Sequence, residues 1–275
     1  MKYIILILLF LFPRLAMAQN FDHTSCQYLE NNGARIYYEV KGNMHLPVLL
    51  LLHGGYGNME DFNVILPELE KNYTVIGIDS RGHGKSTLGT HGLSYELLQK
   101  DAEAVLQHLN VDSLTILGFS DGGIVAYRLA AFTSLKIKKM ITIGARWNIK
   151  NTGPKKAEWL KMTGDGIKAK WPDDYKAYAS RNPEPDFNAF TTSIVKMWLD
   201  NTTAGYPNEK VENIRCPVLI VRGDNDPYIT IQDVADLSRL IQHSTVLNIP
   251  FAGHYAFRDQ KEIFLTCLNQ FLKRE

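Results

Sequence analysis

The chain is short of cysteine, carries no surplus of either charge, shows no metal-ligand spacing and has no apolar run long enough to cross a bilayer. Three cysteines among 275 residues, Cys26, Cys216 and Cys267, allow at most one disulfide and exclude a disulfide-built scaffold. Cys216 stands just ahead of an apolar strand-like run and Cys267 on a terminal amphipathic stretch, positions that suit small buried hydrophobes. Cys-x-x-Cys, His-Glu-x-x-His and calcium-loop patterns are missing, so no metal is expected. Thirty basic residues balance 29 acidic ones, which argues against nucleic acid or another polyanion as partner. Repeats, low-complexity tracts and interdomain linkers are absent too, which leaves one domain able to bury a substantial core.

What is present begins with a leader-like segment. Lys2 precedes an apolar run from Tyr3 to Phe12, and Ala16-Met17-Ala18 fits the small-residue cleavage pattern of a secretory signal. Ten apolar residues are too few for a bilayer span. Residues 1–18 are therefore expected to be a signal peptide, with the protein exported to the periplasm or secreted. Arg14, in the usually uncharged cleavage region, is the feature that favours a retained anchor instead. The residue directly after the cut is Gln19 and not a cysteine, so no lipid-attachment site there and no stable membrane association are expected of the mature chain. Removing Lys2 and Arg14 takes the formal charge from +1 to −1, and the mature chain starts at Gln19.

Beyond Gln19 the pattern alternates. Asn32-Gly33 separates two short alternating runs between Tyr28 and Val40, a hairpin signal. Val48 to Leu52, Val75 to Ile78, Leu114 to Leu117, Met140 to Ile143, Val218 to Val221 and Val246 to Ile249 are continuous apolar runs, as expected of parallel strands buried on both faces. Helical stretches lie between them, such as Tyr95 to Leu109 with one apolar face through Leu98, Ala102, Val105, Leu106 and Leu109. The combination predicts a doubly wound α/β sheet with ligands beyond the carboxyl ends of its strands. Arg146 to Arg215 breaks the rhythm, because a crossover needs only about a dozen residues. This segment has no β-like run and holds all four tryptophans, Trp147, Trp159, Trp171 and Trp198. It reads as a helical insertion over the ligand end, with the tryptophans expected mainly in its packing core.

The run Gly118-Phe119-Ser120-Asp121-Gly122-Gly123 places a serine between an apolar strand and a helix-like stretch from Ile124 to Phe132. A nucleophile held on a sharp strand-to-helix turn needs glycines two residues either side, where the backbones meet. A serine hydroxyl is a weak nucleophile, so a histidine must take its proton and an acid must hold the imidazole. Two later strands run into Gly223-Asp224-Asn225-Asp226 and Gly253-His254. Asp226, one step further into its loop, is the candidate acid, and Asp224 is expected to cap the turn. His254 is the candidate base. Charge developing on a carbonyl oxygen needs prepositioned donors. The glycine-dense turn His53-Gly54-Gly55-Tyr56-Gly57 offers the N–H of Gly55, with that of Asp121 as the second donor.

Five ordered motifs from about residue 28 to the end resemble the α/β-hydrolase fold superfamily, in the branch that carries His-Gly-x-x-Gly and Asp-x-Arg-Gly-His-Gly-x-Ser. Here these are His53 to Gly57 and Asp79 to Ser86, followed by the Ser120, Asp226 and His254 motifs in the family's order. The resemblance implies an eight-stranded, mostly parallel sheet with a helical cap at residues 146–215 after the sixth strand. It also implies cofactor-free hydrolysis of a small-molecule carboxylic ester, lactone, thioester or amide. Perhydrolase and carbon–carbon bond hydrolase members share the same triad, and some members bind ligands without catalysis. Ser-Asp-Gly-Gly also occurs in members similar to the valacyclovir hydrolase type, which act on α-amino acid esters. Asp121 then either pairs with a substrate ammonium or caps the following helix. The Asp79 to Ser86 stretch reads as structural, with Arg81 and Asp79 able to pair and His83 excluded as the base.

Overall fold

A computed structural model describes residues 20–150 and 153–274. Residues 1–18, expected to be a signal peptide, lie outside them. In chain order the elements are β1 (Tyr28–Asn31), β2 (Ala34–Lys41), β3 (Val48–Leu52), α1 (Leu66–Leu69), β4 (Thr74–Ile78), α2 (Tyr95–His108), β5 (Ser113–Phe119), α3 (Asp121–Phe132) and β6 (Lys136–Ile143). They continue with α4 (Gly153–Trp159), α5 (Gly164–Lys170), α6 (Pro172–Arg181), α7 (Phe187–Trp198), β7 (Val218–Gly223), α8 (Ile231–Leu240), β8 (Ser244–Ile249), α9 (Ala256–Asp259) and α10 (Lys261–Lys273). All eight strands form one sheet in the order β1-β2-β4-β3-β5-β6-β7-β8. β1 and β2 pair antiparallel across the Asn32-Gly33 turn, and β2 meets β4 antiparallel. The other pairings are parallel.

The continuous apolar runs are explained by two cores, one on each face of the sheet. Side chains alternate between faces along a strand. Leu50, Leu52, Ile76, Ile116, Val218 and Ile220 therefore pack with α2, α3 and α8. Leu49, Leu51, Val75, Leu117, Leu219 and Val221 pack with Phe21 and α10 on the other side. β8 departs from expectation: it is the edge strand, and Val246 is 40 % exposed. Having no neighbour beyond it, β8 is not enclosed on both faces as the central strands are.

Four helices, α4 to α7, occupy the long connection between β6 and β7. They carry a small core of their own in Ile167, Tyr178, Phe187, Phe190 and Ile194. Trp171 and Trp198 pack against this core as expected, and the other two tryptophans are placed differently. Trp147 belongs to the main core and its Nε1–H donates to the Asp233 carbonyl at 3.1 Å, while Trp159, Trp171 and Trp198 line the cavity above Ser120. Flat amphipathic rings suit a wall with one face in the helices and one toward a ligand. Cys216 is buried as expected, Cys267 is only half-buried and Cys26 is exposed; all three are free thiols. No helix among the described residues is long and apolar enough to cross a membrane.

Candidate active site

β5 ends at Phe119 and α3 starts at Asp121, so Ser120 alone makes the turn between them. It does so at φ 52°, ψ −118°, a backbone conformation costly for a residue with a side chain. Its N–H donates to the Ile143 carbonyl at 2.8 Å, which ties the turn to β6. The two flanking glycines are obligatory on distance grounds. A Cβ at Gly118 would stand 2.4 Å from the Gly122 carbonyl oxygen, and one at Gly122 would stand 2.1 Å from that of Leu52.

Three residues from three strand ends converge here. His254, in the loop after β8, has Nε2 at 3.0 Å from Ser120 Oγ. Its Nδ1 lies 2.8 Å from Asp226 Oδ2. With the proton on Nδ1, the imidazole donates to the carboxylate and accepts from the serine hydroxyl. Asp226 Oδ1 accepts the amides of Tyr228 at 2.8 Å and Ile229 at 3.2 Å. The capping assigned to Asp224 is thus performed by Asp226, whereas Asp224 is exposed and contributes its backbone. The physical reason is that one carboxylate has two oxygens, and a buried one must satisfy both.

Gly144, which no motif singled out, backs this arrangement. It lies just past β6 at φ +58°, and a Cβ there would stand 2.9 Å from the His254 ring and 3.1 Å from Asp226 Oδ2. The available signal was its place at the carboxyl end of an apolar strand. Phe119 and Tyr228 confine the imidazole from other sides, with ring centroids 4.9 Å and 4.8 Å away.

The glycine turn after β3 presses against the serine: a Cβ at Gly54 would stand 3.0 Å from Ser120 Cβ. Among the described residues the amides of Gly55 and Asp121 donate no hydrogen bond. Asp121 opens the first turn of α3, where its charge suits the helix N-terminus as foreseen, although its side-chain hydrogen bonds go elsewhere. It is not a free carboxylate awaiting an ammonium. Oδ1 accepts Tyr95 Oη–H at 2.8 Å, and Trp198 Nε1–H reaches both oxygens at 3.0 and 2.9 Å. Burial raises its pKa, against the hydrogen bonds from Trp198 and Tyr95 that lower it.

The Asp79 to Ser86 stretch is buried scaffolding, as expected, but with different partners. Arg81 pairs with Asp101, through Nε at 2.9 Å and Nη2 at 2.7 Å, and not with Asp79. Asp79 instead accepts from His23 at 2.7 Å and from the amides of Met59 and Lys85 at 3.1 and 2.8 Å. A guanidinium fork needs the two-oxygen edge of a carboxylate, and α2 presents one in Asp101. His83 is pushed down to about 3, first by burial and then by His53, so it stays neutral.

A cavity of about 690 Å³ opens over Ser120, between the sheet end and α4 to α7. This site and fold define a class. The chain belongs to the alpha/beta hydrolase fold family, whose model matches residues 47–202, and it is a hydrolase. The matched span ends before Asp226 and His254, so the geometry above is what joins them to Ser120. Human "Serine hydrolase BPHL" is 27 % identical over 215 residues, 72 % of this chain and 69 % of its own. "Esterase YbfF" of Escherichia coli is 23 % identical over 235 residues, 82 % and 92 % of the two chains. The enol-lactonase of Burkholderia xenovorans superposes with a TM-score of 0.73 at 18 % identity, over 90 % of this chain and 100 % of that one. Ester-bond hydrolysis is the general chemistry these likenesses support.

Proposed function

We propose that the chain is a serine hydrolase of small carboxylic esters or lactones, working through an acyl-enzyme on Ser120. The observation that carries this is the unbroken line of hydrogen bonds from Asp226 through His254 to Ser120. Ser120 Oγ attacks the carbonyl carbon as its proton passes to His254 Nε2, and Asp226 stabilises the imidazolium through Nδ1–H. The N–H groups of Gly55 and Asp121 take the oxyanion. Collapse expels the alcohol, which receives the proton from His254. Water then attacks the acyl-enzyme by the same steps and releases the acid. The residues need no cofactor for this sequence. In this reading residues 1–18 direct export and the working enzyme begins at Gln19.

Treatment with a fluorophosphonate probe, followed by peptide mapping, tests the assignment. Labelling of Ser120 is expected, and its loss in His254→Ala. A protein that labels equally well without His254, or not at all, would refute the triad.

A further inference from the structure

Several buried side-chain atoms have no hydrogen-bond partner, and four of them, in Tyr56, Asp61, His83 and Arg146, belong to residues that line the cavity over Ser120. Arg146 is the cation among them. It follows Gly144 by two residues and is 6 % exposed. Its Nη2 donates to the Tyr228 carbonyl at 2.7 Å, and its guanidinium carbon lies 5.9 Å from the Trp159 ring centroid. Nη1 is buried without an acceptor, and among the described residues no carboxylate comes within the 4.0 Å of an ion pair.

Of the other charged residues lining the cavity, Glu158, Lys161, Lys170 and Asp174 are exposed, and the rest are already committed. Arg181 pairs with Glu60 at 2.6 Å and Arg258 with Asp61 at 3.1 Å. The buried carboxylate of Asp121 is held by Tyr95 and Trp198. A buried guanidinium without a counter-charge is costly, and its planar fork fits a carboxylate in particular. Arg146 is also close to the chemistry, because the Tyr228 whose carbonyl it holds packs its ring 4.8 Å from that of His254.

We infer that Arg146 binds a free carboxylate on the substrate, so that the preferred esters or lactones carry an acid group in their acyl or alcohol part. This rests on the serine-hydrolase reading and names its substrate class. The carboxylate supplies the acceptor that Nη1 lacks and brings the ester carbonyl to Ser120 with one end anchored.

The test compares matched esters differing by one carboxylate in place of a methyl group: 4-nitrophenyl hydrogen glutarate against 4-nitrophenyl pentanoate, and carboxymethyl butanoate against ethyl butanoate. A kcat/KM ratio of about tenfold or more in favour of the acid is expected in at least one pair, as for a hydrogen bond between charged groups. Arg146→Met should lower that ratio at least tenfold and Arg146→Lys should keep part of it. A ratio within one preparation is insensitive to the fraction folded. No acid preference in either pair, or a ratio unchanged in Arg146→Met, would overturn the inference, the latter showing that Arg146 serves only to hold Tyr228. Fluorophosphonate labelling of the same samples separates the two claims, since labelled Ser120 without acid preference refutes the carboxylate site alone. Binding of glutarate followed by tryptophan fluorescence decides the carboxylate site even if turnover is nil. Tenfold weaker binding in Arg146→Met supports it, and equal binding refutes it.

Discussion

Replacing Ser120 with glycine should leave the fold more stable than replacing it with alanine, the reverse of the order at most positions. Both changes remove the hydroxyl and its 3.0 Å contact with His254, so they differ by one methyl group at φ 52°, ψ −118°. Where φ is ordinary, glycine costs about 0.5–1 kcal/mol relative to alanine through the freedom of the unfolded chain. At this conformation a Cβ costs roughly 1–3 kcal/mol. The difference favours glycine by on the order of 0.5–2 kcal/mol. That corresponds to a few degrees in Tm for a chain of this size, at about 2–4 °C per kcal/mol. Urea titrations of the two inactive variants measure the gap directly. An alanine variant as stable as the glycine variant, or more so, would show that the turn stores no more than about 1 kcal/mol of strain, the cost of glycine itself. The reasoning for a nucleophile forced into exposure would then be wrong.

Three further outcomes are expected. Asp226→Asn can still accept the Tyr228 and Ile229 amides but favours the wrong imidazole tautomer. Stopped-flow ester assays should show kcat lowered about 10³–10⁴-fold with Tm nearly unchanged. Gly144→Ala places a methyl group against the His254 ring at a positive φ, so it should lower kcat through a displaced imidazole, seen as slower fluorophosphonate labelling. His23 is subject to burial, which lowers its pKa, yet the hydrogen bonds it donates to Asp79 and Glu60 carry it up to about 9 from 6.5. A raised folded-state pKa means that its stabilisation is complete below pH 6.5 and is lost as pH rises through about 9. The stability gap between the native protein and His23→Gln should therefore shrink across pH 6.5–9, by roughly 3 kcal/mol at most. A pH-independent gap in urea titrations would contradict the ion pairing.

Much of the scaffold was legible because its signals are local. Apolar runs mark strands covered on both faces, Asn32-Gly33 marks a hairpin, and Gly118 and Gly122 announce a tight elbow through steric demands that span four residues. The Ser120, Asp226 and His254 candidates were legible because each ends a recognisable strand. What escaped detection depends on partners brought together from afar. Asp101 takes the place of Asp79 as the acceptor for Arg81 because Asp79 is occupied by His23 and two amides, while a helix 20 residues on presents both oxygens of Asp101. Trp198 found Asp121 across 77 residues, and no spacing rule registers a pair so distant. Val246 is partly exposed because β8 is the last strand, and strand order is invisible in an apolar run.

The insertion is fastened to the loops around the elbow at Asn182 and Trp198, with Arg181 paired to Glu60 beside the first. Asn182, just past α6, donates to the carbonyls of Gly82, Gly84 and Ser86 at 3.4, 3.2 and 2.9 Å. Trp198, the last residue of α7, grips Asp121 beside the nucleophile. Residues 153–181 therefore form a span anchored downstream, and they carry much of the cavity wall without making the elbow. Such an arrangement divides inheritance. The anchors and the elbow must be kept together, whereas the span 153–181 is free to diverge or be exchanged. Grafting the corresponding span from a relative, with Asn182 and Trp198 retained, is a route to a new substrate range on an unchanged catalytic base.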